Sequence, residues 1–135
     1  MASLLKVDAL TGVTTAGSIS VTGEGGSTTT NLQQGLAKAW LNADHTSNTI
    51  SSSFNYSSFT DINTGDSTLA FTSNMSGAST AYSLNGIATN NSASSNTWSR
   101  FYTITAGGYS VRRGYGTTTE HDWSICMDQV YGDLA

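Results

Sequence analysis

Hydrophobic and polar residues alternate with a period of two along most of the chain, a pattern typical of β-strands with one buried face. Between residues 97 and 105, Trp98, Arg100 and Tyr102 share one parity, and Phe101 takes the other. The same alternation marks the segments that contain Phe54 and Tyr56, Leu69 and Phe71, Tyr82 and Leu84, and Trp123, Ile125 and Met127.

Polar stretches at 61–66, 74–80, 90–96, 106–108 and 114–120 separate these segments and predict turns. Six or seven short strands joined by polar turns indicate an all-β protein, an antiparallel β-sandwich of jelly-roll-like character. The predicted core is thin, because many inward positions fall on Ser, Thr or Ala. We therefore expect contacts between subunits to bury further apolar surface.

Residues 1–35 follow a different pattern and contain no aromatic residue. Leu4, Leu5, Val7 and Leu10 predict a first short strand, and Ile19 with Val21 predicts a second. Residues 23–35 have few apolar side chains and are typical of a linker or an extended arm. The sequence thus predicts an N-terminal arm over 1–35, for anchoring or intertwining, and a sandwich domain over 36–135.

Residues 32–41 allow two interpretations. Leu36, Lys38 and Trp40 alternate with small or apolar neighbours, which favours a strand. Leu32, Leu36 and Trp40 also fall on one face of a helix. Strand is the preferred interpretation, and helix stays open.

Composition changes the range of possible functions. The 135 residues are only 10% charged and include no proline, while Ser, Thr, Asn and Gly make up about half of the chain. The single Cys126 argues against a disulfide scaffold, and a net charge of −4 argues against general nucleic-acid binding. No apolar run approaches the ~20 residues of a membrane span, so no membrane insertion is expected. The opening MASLLKVDAL is too short and polar for a signal peptide, and assembly in the cytoplasm is expected.

Few residues suggest catalysis or metal binding. His45 and His121 each have an acidic neighbour, but no nucleophile motif accompanies them, and we expect both in polar turns. Cys126 lies on a strand and is expected to be a buried apolar filler. The segment 61–66, DINTGD, spaces its oxygens as calcium loops do, yet a β-turn is the preferred interpretation. No catalytic residue, metal site or cofactor is therefore predicted.

Aromatic and basic residues in two successive strands are the strongest binding candidates. Rings and arginines on an exposed sheet edge suit sugars, anions or bases. In the alternative interpretation, Trp98 and Tyr102 belong to the core and the arginines are solvated or paired with acids. The candidates are Trp98, Arg100, Tyr109, Arg112, Arg113 and Tyr115.

Several stretches resemble a domain of bacteriophage tail fibres and related virion appendages. Residues 35–44 read GLAKAWLNAD, and residues 52–75 read SSFNYSSFTDINTGDSTLAFTSNM. They match that family's Lys-Ala-Trp strand, its Ser-Phe-Asn strand, its Thr-Gly-Asp turn and a following methionine, here Met75. The closing WSICMDQVYG and the opening LLKVDALTGVTTAGSISVTGEG are also similar to segments of such proteins. One departure is Ser76, where the family often has a proline.

The resemblance implies a non-enzymatic structural subunit of a virion fibre or spike, assembled as a homotrimer and mediating host attachment. Its partners would be other copies, other virion proteins through the arm, and a host surface glycan. An alternative is a head or tail decoration or adaptor protein without a receptor. A third hypothesis, a polysaccharide hydrolase, needs a close pair of carboxylates for which the sequence has no signature.

Overall fold

A computed structural model describes residues 4–12, 19–23, 26, 29–78, 82–90 and 96–135. The chain divides into two compact units, Met1–Leu36 and Ala37–Ala135. The first unit contains an antiparallel pair, β1 (Ser20–Thr22) and β2 (Thr29–Asn31), followed by the short helix α1 (Leu32–Gly35).

The first unit tests two predictions. The strand expected around Ile19 and Val21 is confirmed as β1. The strand expected at Leu4–Leu10 is wrong, since the described residues 4–12 are not in a strand. Their apolar side chains are exposed, so they have no packing surface that would favour an extended, paired conformation.

The second unit is built from β3 (Ala37–Asp44), β4 (Thr49–Phe54), β5 (Tyr56–Asn63), β6 (Asp66–Phe71), β7 (Tyr82–Thr89), β8 (Thr97–Thr105), β9 (Gly108–Tyr115), β10 (Thr119–Glu120) and β11 (Ile125–Gly132). Of the open segment 32–41, the first four residues are thus helical and the residues from Ala37 onward form a strand.

These strands form two antiparallel sheets. The first sheet has the order β4-β3-β11-β7. In the second sheet, β9 pairs with β8 on one side and with β6 and β10 on the other, and β5 follows β6. The predicted all-β antiparallel sandwich is confirmed.

The core lies between the sheets and is formed by alternate residues of each strand. Ala39, Leu41 and Ala43 of β3 point inward, and the small side chains of the two alanines leave room for aromatic rings. The rings of Phe71 and Tyr109 lie 5.9 Å apart at their centroids. Similar tilted or edge contacts join Tyr56–Phe71, Phe71–Tyr82 and Phe101–Tyr109. Such pairs add to the burial of apolar area.

The segment 61–66 is a turn between β5 and β6, as the preferred interpretation predicted. Thr64 and Gly65 connect the strands, and Asn63 pairs with Asp66. Gly65 has a φ of 71°, and a Cβ there would overlap the Arg113 carbonyl oxygen. Glycine is therefore the residue that fits this turn.

Asn55 makes the corner where the chain leaves β4 and starts β5. It adopts a φ of 60°, a conformation that Asn tolerates better than most residues. Its side-chain amide donates to the carbonyl oxygens of Lys38 and Ser73, and its Oδ1 accepts from Ser73 N at 2.7 Å. The asparagine of the Ser-Phe-Asn stretch therefore has a structural role in this chain.

Candidate functional site

The outward face of the second sheet brings three strands together in register. Arg100 of β8 lies opposite Arg112 of β9, and Arg112 lies opposite Asp66 of β6. Because side chains alternate along a strand, Trp98 and Tyr102 point to the same side as Arg100. The parity predicted for β8 thus places its aromatic and basic residues on one surface.

These side chains border a cleft with a volume of about 470 Å³. We refer to it below as the cleft. Its lining combines aromatic rings, two guanidinium groups, a carboxylate and a hydroxyl, which is the mixture of apolar walls and few polar groups expected of a ligand site. The lining residues are Trp98, Arg100, Phe101, Tyr102, Arg112, Thr118 and Glu120.

Asp66 fixes two side chains of the cleft lining, Tyr102 and Arg112. It is nearly fully buried, accepts a hydrogen bond from Tyr102 Oη, and accepts one from Arg112 Nε at 3.1 Å. The bond to Asp66 raises the pKa of Tyr102, and the same carboxylate raises the pKa of Arg112. The Arg112 guanidinium also lies 5.2 Å from the centre of the Tyr102 ring. Tyr102 and Arg112 are therefore positioned before any ligand arrives.

Arg112 is shared between two carboxylates. Besides Asp66, its Nε lies 3.7 Å from Glu120 Oε1. Its side chain is still 51% exposed, so it can also contact a ligand. Glu120 comes from β10, which pairs with the end of β9.

Arg100 stacks on an aromatic ring instead of pairing with an acid. Its guanidinium carbon lies 5.0 Å from the centre of the Trp98 ring. Such a cation–π contact orients the guanidinium plane and leaves its edge N–H groups free to donate.

Two predicted binding residues are corrected by the structure. Tyr109 is 1% exposed and Arg113 is 0% exposed, so neither can contact an external ligand. The reason is parity: both share the inward side of β9 with Val111, whereas Arg112 points outward. Of two adjacent arginines on a strand, only one can reach the cleft.

Arg113 and Tyr109 instead form a polar network between the sheets. Arg113 Nη2 donates to Asp128 Oδ2 of β11 at 2.5 Å, and Tyr109 Oη donates to the same oxygen at 2.8 Å. The Tyr56 hydroxyl lies 2.6 Å from that of Tyr109 and must donate to it, since the Tyr109 proton is already used. We call these four residues the interior network. It connects β5, β9 and β11.

The interior network has a clear electrostatic character. Burial, followed by the charge of Asp128, raises the pKa of Tyr109, and burial also raises the pKa of Tyr56. Burial opposes the charge on Arg113, but the charge and hydrogen bond of Asp128 raise its pKa overall. Both tyrosines thus stay neutral, and Arg113 stays charged.

Gly86 makes room for the Asp128 carboxylate. Gly86 of β7 pairs with Asp128, and a Cβ at this position would overlap the Asp128 carboxylate and approach the Phe101 ring. Any side chain here would therefore displace the network.

Tyr115 lies outside the cleft lining. Its ring is partly exposed at the end of β9 and makes edge contacts with His121 at 5.6 Å and Trp123 at 6.3 Å. It joins a separate aromatic group and does not contribute to the candidate site.

Of the two histidines considered for catalysis, one is placed differently from expectation. His45 is in a turn but is fully buried, where we expected an exposed polar turn. Its Nε2 lies 3.4 Å from Asp61 Oδ1 and its Nδ1 lies 3.6 Å from Asp122 Oδ1. One carboxylate thus lies beside each nitrogen of the His45 ring. His121 is exposed, in agreement with the prediction.

Cys126 is a buried filler, as predicted. It packs with Ala88 and Trp123, and burial raises the pKa of its thiol to about 11. A neutral thiol is a poor nucleophile. Among the described residues, no group of three or more His, Cys, Asp or Glu side chains could hold a metal ion. In the same part of the chain, no helix is long and apolar enough to cross a membrane.

Sequence reasoning missed five residues of the candidate site: Phe101, Tyr102, Asp66, Thr118 and Glu120. Tyr102 shares the parity of Trp98 and Arg100, and this signal could have identified it. Asp66, Thr118 and Glu120 fall in predicted turns or at their ends. Their contribution depends on β6 and β10 pairing with the same strand, which the local sequence does not encode.

Comparison with protein-family models, with curated proteins and with solved structures gives no match to this chain. The function of the chain is therefore inferred from the cleft and from the motifs of the sequence.

Proposed function

We propose that this chain is a structural subunit of a bacteriophage virion fibre or spike, and that it attaches to the host surface through the cleft. Two independent arguments support the proposal. The first is the resemblance of residues 35–44 and 52–75 to fibre domains. The second, which carries the attachment role, is the presence of fixed aromatic and polar groups around one cleft.

The chemistry of the cleft suits a saccharide. Sugar rings present apolar C–H faces and a rim of hydroxyls, which match aromatic walls with charged donors and acceptors beside them. Trp98 and Tyr102 supply the aromatic surface, and Glu120 can accept from a sugar hydroxyl. Binding of this kind needs no turnover, and the proposal assigns no catalytic step to the cleft.

Assembly as a homotrimer would multiply a weak single site. Several sites on one particle raise the apparent affinity without new contacts. The outward surface of the first sheet supports self-association, because large apolar side chains are exposed there in neighbouring strands. We call this surface the apolar face; its large side chains are Trp40, Phe54, Ile87 and Met127.

The attachment role is tested by adsorption of the purified chain to a panel of bacterial cells, with and without surface polysaccharide. We expect Trp98→Ala and Glu120→Gln each to reduce adsorption about tenfold, since the first removes an aromatic wall of the cleft and the second removes its carboxylate. Ile62→Ala is the matched control, because Ile62 is exposed on β5 of the same sheet but does not line the cleft. Full adsorption by both cleft variants, with unchanged melting temperatures, would exclude the cleft as the attachment site.

A decoration or adaptor protein is the second candidate, and one observation favours it. Leu4, Leu5, Val7 and Leu10 expose most of their apolar surface in the first unit. An exposed apolar segment of this kind suits docking onto another virion protein. Deleting residues 1–30 separates the two candidates: an adaptor loses its incorporation into virions and shows no adsorption to cells at all, whereas an attachment subunit still adsorbs to cells.

A further inference from the structure

The cations of the sandwich are few, and most have a partner. Arg113 is buried against Asp128, and Arg112 lies between Asp66 and Glu120. Lys38 is only 8% exposed. Arg100 is exposed, and among the described residues no carboxylate lies within ion-pairing distance of it. Arg100 is therefore the cleft guanidinium that has no carboxylate within ion-pairing distance among the described residues.

An exposed arginine without an acidic partner is an exception in a chain whose net charge is −4. The single positive charge of Arg112 lies between the two negative charges of Asp66 and Glu120. An anionic group that enters the cleft next to Arg100 gains a charge-assisted pair without displacing an existing one. A neutral ligand would leave the Arg100 guanidinium without an acidic partner.

The surroundings of Arg100 also limit how much negative charge a ligand in the cleft can carry. Its guanidinium is stacked on Trp98, and across the strand pair it lies opposite Arg112. A planar carboxylate fits the edge of a stacked guanidinium with two parallel N–H···O bonds. A long polyanion fits less well, because Glu120 lines the same cleft and would repel further negative charge.

We infer that the cleft is selective for an acidic saccharide, a sugar whose carboxylate pairs with Arg100 while its neutral hydroxyls contact Arg112 and Glu120. The inference rests on the proposed function and names the class of saccharide that the attachment site takes. It assigns Arg100 as the residue that sets specificity, and Trp98 as the residue that positions it.

The test compares two trisaccharides that differ in one carboxylate, galactotriose and the same trisaccharide with its terminal residue oxidised to galacturonic acid, by calorimetric titration of the full chain. The wild-type chain should bind the acidic trisaccharide about tenfold more tightly, and this advantage should shrink with added salt. Arg100→Gln should bring both affinities to the same value. Lys6→Gln, which causes the same change in net charge outside the sandwich, should leave the preference intact.

Each outcome decides the inference. A preference that survives Arg100→Gln, equal binding of the two trisaccharides by the wild-type chain, or no acidic binding at about 10 mM would overturn it. Adsorption to cells that persists in any of these cases would leave the attachment role standing with a neutral ligand. Loss of adsorption to every cell type tested would overturn the proposed function itself.

Discussion

The two outward faces of the sandwich differ in chemistry although they belong to the same fold. The second sheet presents stacked arginines, aromatic rings and a carboxylate around the cleft. The central rows of the first sheet carry no charged residue among those described. They present Trp40 opposite Phe54 and Met127 opposite Ile87, with uncharged polar residues between them.

The difference shows how function is divided in a small β-protein. Inward residues of both sheets build one core and one interior network, so they cannot vary independently. Outward residues are free of that constraint. One face can therefore carry a polar site for a ligand while the other carries an apolar surface suited to another copy of the chain.

The largest predicted effect comes from a change in the interior network, which joins the two sheets. Asp128→Ala leaves Arg113 buried without a counter-charge, and we expect it to lower the free energy of unfolding by about 3–5 kcal/mol. Urea denaturation measures this change. Asp133→Ala, at an exposed position, is the control and should have almost no effect. The double replacement Arg113→Met with Asp128→Leu should cost less than Asp128→Ala, because no charge remains buried. The opposite ranking would show that an uncompensated charge on Arg113 is not the main cost of Asp128→Ala.

The second prediction concerns the apolar face alone, from which two exposed apolar side chains are removed. Phe54→Ser with Ile87→Ser should weaken self-association about 100-fold in Kd, from about 1.5 kcal/mol for each lost apolar side chain. The proposed homotrimer should then dissociate, and light scattering should show its mass falling from three times 14.1 kDa towards 14.1 kDa.

The control for this variant is Ile62→Ser, which removes an equally exposed apolar residue from the second sheet. It should leave the mass unchanged. If Ile62→Ser dissociates the assembly as readily as the double variant does, the contact between copies is not on the apolar face.

The third prediction concerns the pH dependence of folding stability that arises from the buried thiol of Cys126. The pKa of Cys126 is about 11 in the folded chain, above its ordinary value of 9.0. The folded state therefore holds the thiol proton more tightly than the unfolded state. The stabilisation is complete below pH 9 and is lost as pH rises to about 11, a change on the order of 2 kcal/mol.

Chemical denaturation at a series of pH values between 8 and 11 measures this loss. Cys126→Ala should flatten the decline over that interval, although it lowers stability at all pH values by removing packed atoms. Tyr82, with a pKa of about 12, should contribute a further loss only above pH 10, and it should do so in both proteins. An identical decline with and without Cys126 would contradict the assigned thiol pKa.

Period-two alternation predicted most of the strands and the outward set of β8, because each strand has one buried side. It was wrong in running one strand through Phe54 and Tyr56, where the structure has a corner at Asn55 between β4 and β5. The adjacent positions of Arg112 and Arg113 do not by themselves show which of the two side chains points outward. Their inward neighbours Tyr109 and Val111 hold that information, since Arg113 shares their parity. The partner that makes burial of Arg113 possible, Asp128, comes from the other sheet and has no local signal.

The other failures have the same physical origin. His45 is polar and lies in a turn, so exposure was the reasonable expectation. Asp61 and Asp122 approach its ring from distant parts of the chain, and the local sequence around His45 gives no sign of either. The apolar start at Leu4–Leu10 resembles a strand by composition. A strand also needs a neighbour, and composition does not say whether one exists.

The burial of Lys38 has a practical consequence for handling the protein. The chain has two lysines, Lys6 and Lys38, and the amine of Lys38 belongs to a side chain that is almost fully covered. Amine-reactive dyes and amine-coupling sensor surfaces should therefore modify Lys6 in the first unit and leave the sandwich chemically intact. A tethered preparation would keep Arg100 unmodified, so the two trisaccharides could be compared on a surface as well as in solution.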